Sequence, residues 1–315
     1  MRRVGVTGAA GFVGRVLAAR LRADGHEVVG IDVAALGSDV RAADIRRPGA
    51  WQDALATCDA IVHTAALVSQ TASHDAAWAA NVVGTRRVLD ACTPTTRFVH
   101  CSSSAVYSPD RPPQVEESHP VRPTGRPYGD TKIASEQVVL AAQVAGDADV
   151  VVLRPGDVYG AGSRPWTEIP VATMRAGRMV LPAFGRGLID PVHVDDLVDC
   201  VLAAIATPAP ESRVYNVGGG APVTAVTFFG EYSRRLGLRA PRVAPTTVAV
   251  LLAEGLGRAQ RLRGRGSELG AGSIAMLTKT GGMSIARAQR ELGWAPRIDL
   301  AEGMRRTCAA IAARG

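Results

Sequence analysis

A chain of 315 residues with 47% apolar and 4% aromatic side chains can bury a sizeable core, and the balance is ordinary for an alanine-rich α/β protein. The net charge of +7 raises nucleic acid as a partner, but apart from Arg258–Arg265 the basic residues are scattered, aromatics do not interleave with them and no nucleic-acid motif is present. No run approaches the ~18 consecutive apolar residues of a transmembrane helix, so a membrane span is excluded too.

Met1-Arg2-Arg3 followed by apolar residues mimics a signal peptide, but glycines interrupt the run, which serves better as a first strand. Val4–Val6 reads as that strand, buried, and Phe12 to Leu21 carries apolar residues at helical spacing. Between them lie Gly8, Gly11 and, just inside the helix, Gly14. A strand that turns on glycine into a helix makes a phosphate site. The first helical N–H groups lack internal partners, the dipole favours an anion, and no Cβ blocks the approach. His26–Asp32 is a second strand, ending on an acid 18 residues after Gly14, about where a carboxylate meets the adenosine ribose hydroxyls. Ala43-Asp44-Ile45 lies in a loop after a short strand, and Asp59–Ala66 is another strand, with His63 near its end read as structural.

Asp75–Cys92 reads as a helix containing Asn81, and Arg97–Cys101 as a strand running into Ser102-Ser103-Ser104-Ala105-Val106-Tyr107. Pro109 to Pro127 holds six prolines and reads as irregular surface. Tyr128 opens a long helix to about Gly146, and strand Asp149–Leu153 leads into Arg154–Gly160. The strand–helix rhythm predicts a parallel sheet. Beyond Gly160 the rhythm loosens. A helix is expected over Trp166–Gly177, a short strand over Met179–Phe184, and a strand at 190–194 running into a helix capped by Asp195. A strand at Val214–Val217, an amphipathic helix at Val248–Arg263 and closing helices at Ile285–Leu292 and Leu300–Ala313 complete the chain. The expected domains are a dinucleotide-binding core over 1–160 and a smaller substrate-binding lobe over most of 161–315, with strands near 190–194 and 214–217 returning to the core sheet or its edge. The five cysteines, Cys58, Cys92, Cys101, Cys200 and Cys308, lie far apart with no C-x-x-C pair, which reads as reduced thiols in a cytoplasmic protein.

Tyr128 and Lys132 stand four apart, on one face of the long helix. Only two of the 36 basic residues are lysine, Lys132 and Lys279, so a lysine that persists against the arginine bias is a candidate for required chemistry. Hydride transfer between an alcohol and a nicotinamide needs a proton acceptor near the substrate oxygen. An unperturbed tyrosine, at about 10, is too weak an acid at neutral pH. A nearby ammonium and an oxidised nicotinamide favour the phenolate, so Lys132 is expected to lower the Tyr128 pKa and to hold the nicotinamide ribose. A neighbouring hydroxyl should orient the substrate carbonyl.

The order Thr7–Gly14, Asp32, Asp44-Ile45, Asn81, Ser103–Tyr107, Tyr128–Lys132, Arg154–Gly160, Asp190–Asp196 and Glu291-Leu292-Gly293-Trp294-x-Pro296 resembles the extended short-chain dehydrogenases/reductases along essentially the whole chain. The resemblance implies a Rossmann-type, doubly wound parallel sheet with a smaller C-terminal substrate-binding lobe. It implies Tyr128 as acid/base, Lys132 beside it, and Ser103, three before the Val of the Val-Tyr pair, as the catalytic hydroxyl. It further implies cofactor contacts at Gly8, Gly11, Phe12, Val13, Asp32, Asp44, Ile45, Ala65, Ala66, Asn81, Pro155 and Val158, no metal, and a homodimer through the helices 75–92 and 126–146.

Asp32, followed by Val33-Ala34-Ala35-Leu36-Gly37 without a cation, points to NAD over NADP, because a 2′-phosphate there would meet a like charge. Substrate class divides two branches. One is 3β-hydroxysteroid dehydrogenase-like, acting on a small apolar alcohol or ketone. The other comprises nucleotide-sugar epimerases, dehydratases and ketoreductases. Sugar-nucleotide members commonly carry an arginine where Leu188-Ile189 stands, although Arg186 is nearby, which favours the apolar branch. Val248–Leu256 could roof an apolar pocket, or be plain core or an oligomer surface. A third reading, a dinucleotide-sensing protein without chemistry, has no need of Ser103, Tyr128 and Lys132 together.

Overall fold

The computed structural model describes residues 2–35, 40–264 and 268–314. Met1, Leu36, Gly37 and Arg265, which entered the sequence reading, lie outside the described residues. The chain begins with β1 (Arg3–Thr7), α1 (Phe12–Ala23), β2 (Glu27–Asp32), β3 (Val40–Ala42), α2 (Trp51–Ala56) and β4 (Ala60–His63). It continues through α3 (His74–Trp78), α4 (Gly84–Leu89), β5 (Arg97–Cys101), β6 (Gln114–Val115), α5 (Pro127–Ala145), β7 (Asp149–Pro155) and β8 (Asp157–Tyr159). Then come α6 (Ile169–Arg175), β9 (Val180–Leu181), β10 (Leu188–Ile189), β11 (Pro191–His193), α7 (Val194–Ala206), β12 (Val214–Val217), β13 (Val223–Thr224) and α8 (Ala225–Leu236). β14 (Arg242–Val243), α9 (Thr246–Leu262), α10 (Ala271–Ala275), β15 (Gly282–Met283), α11 (Ala286–Glu291) and α12 (Leu300–Ala312) close the chain.

Seven strands form one parallel sheet in the order β12-β7-β5-β4-β1-β2-β3. Alternation along each strand feeds two cores. Val4, Val6, Val62, Val99, Val151 and Leu153 join α1 and α7 on one face. Ile31, Ile61, Phe98, Val150 and Val152 join α2, α4 and α5 on the other. Both faces are covered, so these strands read as continuous apolar runs. From β1 the chain builds outward to β2 and β3, then crosses back to β4. The order therefore switches between β1 and β4, whose last residues Thr7 and His63 are register partners. A crevice at such a switch point, beyond the carboxyl ends of the strands, is where open α/β sheets bind ligands.

From the end of β8 onward a third core gathers Tyr159, Trp166, Phe228, Phe229, Tyr232 and Met304, several in edge-to-face contact. The remaining short strands pair two by two: β10 with β13, β11 with β8, β14 with β9 and β15 with β6. The expected return of 214–217 is β12 at the sheet edge, but 190–194 does not return: β11 pairs only with β8.

Several local readings are corrected. The strand at 59–66 stops at His63, because Thr64 turns its hydroxyl back onto the Thr7 carbonyl. The helix at 75–92 is broken by a π turn over Ala79–Val83, whose wider ring carries Asn81 inward. Trp166–Gly177 likewise divides into a π turn, Arg164–Glu168, and α6. The proline-rich loop is not all surface: Arg111 and Val115 are buried and β6 pairs there. α7 is capped by His193, whose Nδ1 accepts the Asp195 N–H, rather than by Asp195. α8 is capped by Thr224 and ended by Gly237 in the left-handed conformation. α9 forms as expected, with its small residues inward. Ala249, Ala253 and Gly257 are buried, while Val248, Leu251 and Leu252 face solvent.

Candidate active site

The glycine turn follows β1 at the switch point. Gly8 has φ +72°, and a Cβ there would lie 2.7 Å from the Ala65 nitrogen, so only glycine fits. The 12-residue α1 starts with no side-chain cap and no acid in its first turn, leaving its N-terminal N–H groups without side-chain competition. Gly11 is its N-cap. Phe12 and Val13 are half-buried, Phe12 near Gly160 and Val13 against the sheet, so what they offer the crevice is main chain. Asp32 ends β2, and its carboxylate accepts the Ala10 N–H at 3.0 Å and the Ala34 N–H at 3.1 Å. It is therefore both a turn cap and a fixed negative charge beside the glycines. Val33, Ala34 and Ala35 are exposed and carry no charge.

Three expected cofactor contacts have partners within the chain. The buried Asn81 amide accepts the Leu67 N–H at 2.7 Å and donates to the Thr131 hydroxyl at 2.9 Å and the Leu67 carbonyl at 3.3 Å. It holds the segment leading from Ala65 and Ala66 against α5. The Asp44 carboxylate is paired with Arg46 at 2.7 Å, which holds its pKa below the usual value. Ile45 is buried in the sheet core, leaving only its main chain for a ligand. His63 is structural. Its Nδ1 meets the Thr7 hydroxyl at 2.7 Å and its Nε2 the Thr85 hydroxyl at 2.9 Å. Thr85 gives its proton to the Asn81 carbonyl, so Nε2 carries the imidazole proton and Nδ1 accepts from Thr7. Burial, with Lys132 adding to it, pushes the His63 pKa down to about 3.

The chemistry gathers where β5 ends. Ser102 turns to Glu136, which pairs with the buried Arg154; Arg154 bonds the Tyr107 hydroxyl, and that hydroxyl bonds Asn216. This network ties β5, α5, β7 and β12 together. Ser103 faces the other way: its hydroxyl accepts the Ala105 N–H at 3.1 Å and lies close enough to Tyr128 to favour its phenolate. Tyr128 and Lys132 are buried one turn apart on α5. Pro127 starts that helix, and Gly129 lets it approach the 104–106 turn, since a Cβ there would lie 2.8 Å from the Ala105 carbonyl oxygen.

The expected lowering of the Tyr128 pKa is not what the side chains here produce. Burial raises it, the Ser103 hydrogen bond opposes, and Lys132 contributes no resolved part. Lys132 instead donates to the Cys101 carbonyl at 2.7 Å, and burial brings its pKa down to about 8. Pro155 ends β7, buried, and Val158 is half-buried on β8.

A cleft beside this group is lined by Ala105, Gly129, Gln70, Met276, Asp157 and Lys279. Its far wall was not foreseen. Lys279, the second lysine, is buried, paired with Asp157 and 5.5 Å from the Trp166 ring centre. Asp157 accepts the Asp190 N–H, and Asp190 pairs with Arg111 at 2.7 Å. The rarity of lysine was the available signal; its partners, 122 residues away in the case of Asp157, were not readable from spacing. Ile189 is fully buried and Arg186 exposed.

Residues 4–218 match the NAD dependent epimerase/dehydratase family. A ketoreductase from Stigmatella aurantiaca acting on 4-hydroxy-2-methyl-3-oxo-4-farnesyl-3,4-dihydroquinoline-1-oxide is 32% identical over 96% of this chain and 94% of its own. A 2-alkyl-3-oxoalkanoate reductase from Stenotrophomonas maltophilia is 28% identical over 98% of this chain and 99% of its own. Among solved structures, MoeE5 in complex with UDP-glucose and NAD superposes with a TM-score of 0.79 at 27% identity, covering 99% of each chain.

Proposed function

The chain belongs to the NAD dependent epimerase/dehydratase family, and from that premise we propose that it is an NAD-dependent oxidoreductase interconverting a secondary alcohol and a ketone on a small apolar substrate. The observation that carries the reading is the Ser103–Tyr128 hydroxyl pair with Lys132 one turn away, at the carboxyl edge of the sheet beside the glycine turn. The Gly8 cradle, the uncapped α1 N-terminus and the Asp32 carboxylate fit a dinucleotide, with the pyrophosphate at Gly8–Val13 and the adenosine ribose at Asp32. When bound, NAD supplies the hydride donor or acceptor.

In the reduction direction Ser103 holds the carbonyl oxygen and Tyr128 donates its phenolic proton to it; in oxidation the proton returns to Tyr128. Burial keeps Tyr128 protonated at neutral pH, which suits it to begin as the acid. Lys132, one turn from Tyr128 and anchored on the Cys101 carbonyl, would hold the nicotinamide ribose.

An apolar ketone, steroid-like or alkyl-chained, is supported by the two ketoreductase relatives, whose named substrates place a ketone beside a farnesyl or alkyl group. The buried Ile189, where sugar-nucleotide members carry an arginine, supports the same class. The second reading, a nucleotide-sugar epimerase, dehydratase or ketoreductase, is favoured by the likeness to the UDP-glucose-bound MoeE5. A screen of apolar ketones and secondary alcohols against nucleotide sugars, followed at the nicotinamide absorbance, separates the two. Turnover of apolar ketones is expected. Tight binding of a nucleotide diphosphate sugar to cofactor-saturated protein would overturn the preferred class. A homodimer through the α3–α4 and α5 faces is supported by the exposed Trp78 and Val144; a monomer in light scattering would remove it.

A further inference from the structure

Among the described residues, seven of the eleven large apolar side chains that stand exposed fall between positions 184 and 262. Four are on α9: Val248, Leu251, Leu252 and Leu262, the last 89% exposed. At 100° per residue, Leu251, Gly255 and Leu262 lie in one line down the outward face, with Val248 and Leu252 to one side of it. Arg258 falls on that line, and Arg261 and Arg263 lie to either side of it; all three are exposed. The inward face is the small one, Ala249 and Ala253, packed on Ile274. This helix therefore presents to water the side chains that a core helix would bury.

A second exposed apolar patch lies near the start of α9. A Cβ on Gly185 would lie 3.0 Å from Val226 and 3.3 Å from Val243, and Phe184 donates its N–H to the Ala244 carbonyl just before the helix. Phe184, Val226 and Val243 are exposed, and Arg186, Arg239 and Arg242 stand around them, exposed as well. The acid on the outward side of α9, Glu254, is already paired with Arg258 at 3.3 Å.

We propose that α9 and the Phe184–Val243 patch dock this protein on an anionic lipid bilayer surface, α9 lying in the interface with Leu251, Leu252 and Leu262 among the acyl chains and its arginines at the headgroups. Apolar residues on one face, with arginines on and beside it whose long stems can reach back to phosphates, suit an interfacial helix. Its length and composition suit lying on a bilayer and not spanning it, in keeping with the absence, among the described residues, of a helix long and apolar enough to cross. A second copy would present the same face, whose one α9 acid, Glu254, is already paired, so it offers no free α9 carboxylate to Arg258, Arg261 and Arg263, whereas an anionic bilayer offers phosphates. The inference stands on the face itself and not on the choice of substrate.

The full-length protein is sedimented with vesicles of phosphatidylcholine containing phosphatidylglycerol, and with vesicles of phosphatidylcholine alone. Binding to the anionic vesicles is expected, several-fold stronger than to the neutral ones and weakened by salt. Replacing Leu251→Ser with Leu252→Ser should lower it at least about tenfold, and Arg258→Gln with Arg263→Gln should abolish the preference for phosphatidylglycerol. These side chains are exposed, so circular dichroism and cofactor binding should match the parent. No binding to anionic vesicles overturns the proposal. So does binding that the leucine pair leaves unchanged. A homo-oligomer that the leucine pair dissolves, with no vesicle binding by the parent, assigns the face to self-association instead.

Discussion

Replacing Gly129 with alanine tests how the site is assembled. The added Cβ would lie 2.8 Å from the Ala105 carbonyl oxygen, where ordinary contact begins at 3.4 Å, so α5 and the 104–106 turn must separate by about 0.6 Å. The obstacle is backbone and cannot rotate away. Overpacking of this kind costs about 1–3 kcal/mol. The same displacement acts directly between Ser103, which leads into the turn, and Tyr128, the residue before Gly129. A misplacement of about 1 Å costs on the order of a hundredfold in rate, so kcat should fall roughly ten- to a hundredfold. The glycine turn at 8–14 lies on other elements, so cofactor affinity, read by nicotinamide fluorescence, should stay within about threefold. A folded Gly129→Ala protein with parental kcat would refute the claim that this approach sets the Ser103–Tyr128 geometry.

Cofactor choice rests on Asp32: with Asp32→Ala and Val33→Arg together, the ratio of kcat/KM for NAD to that for NADP should fall by at least about tenfold, and a parent that already prefers NADP contradicts the reading. His63 sets an acid limit. Its pKa drops from 6.5 unfolded to about 3 folded, so between those values the unfolded chain binds the extra proton and stability falls as pH falls, by up to about 1.4 kcal/mol per pH unit. Urea unfolding across that range should show a shallower slope for His63→Gln; an unchanged slope would remove His63 as the cause.

Much of the architecture was legible because its signals are local. Val4–Val6 with Gly8, Gly11 and Gly14 marks strand, turn and helix by apolar runs and missing side chains, and β5, α5 and β7 follow the same logic. Asp32 was legible as a carboxylate at a fixed distance from a glycine turn, but its bonds to Ala10 and Ala34 were not. What escaped depends on long-range partners. The bonds of the Asn81 amide to Leu67 and Thr131 cannot be read from spacing. Lys279 was conspicuous by its rarity, while the buried Asp157, Asp190 and Arg111 with it come from three distant segments. The period of α9 was correct, yet a period cannot say which stripe is covered when the small residues form the tighter seat. The π turn at 79–83 and the His193 cap have no sequence signature of comparable strength.

The central claim is that Tyr128 moves the proton while the glycine turn holds the cofactor. Tyr128→Phe removes one oxygen and leaves the ring that fills the buried site. With an accepted ketone, kcat should fall by at least about a thousandfold, while NAD affinity, measured by titration calorimetry on the same preparation, stays near the parent's. Turnover within about tenfold of the parent in that variant would contradict the account.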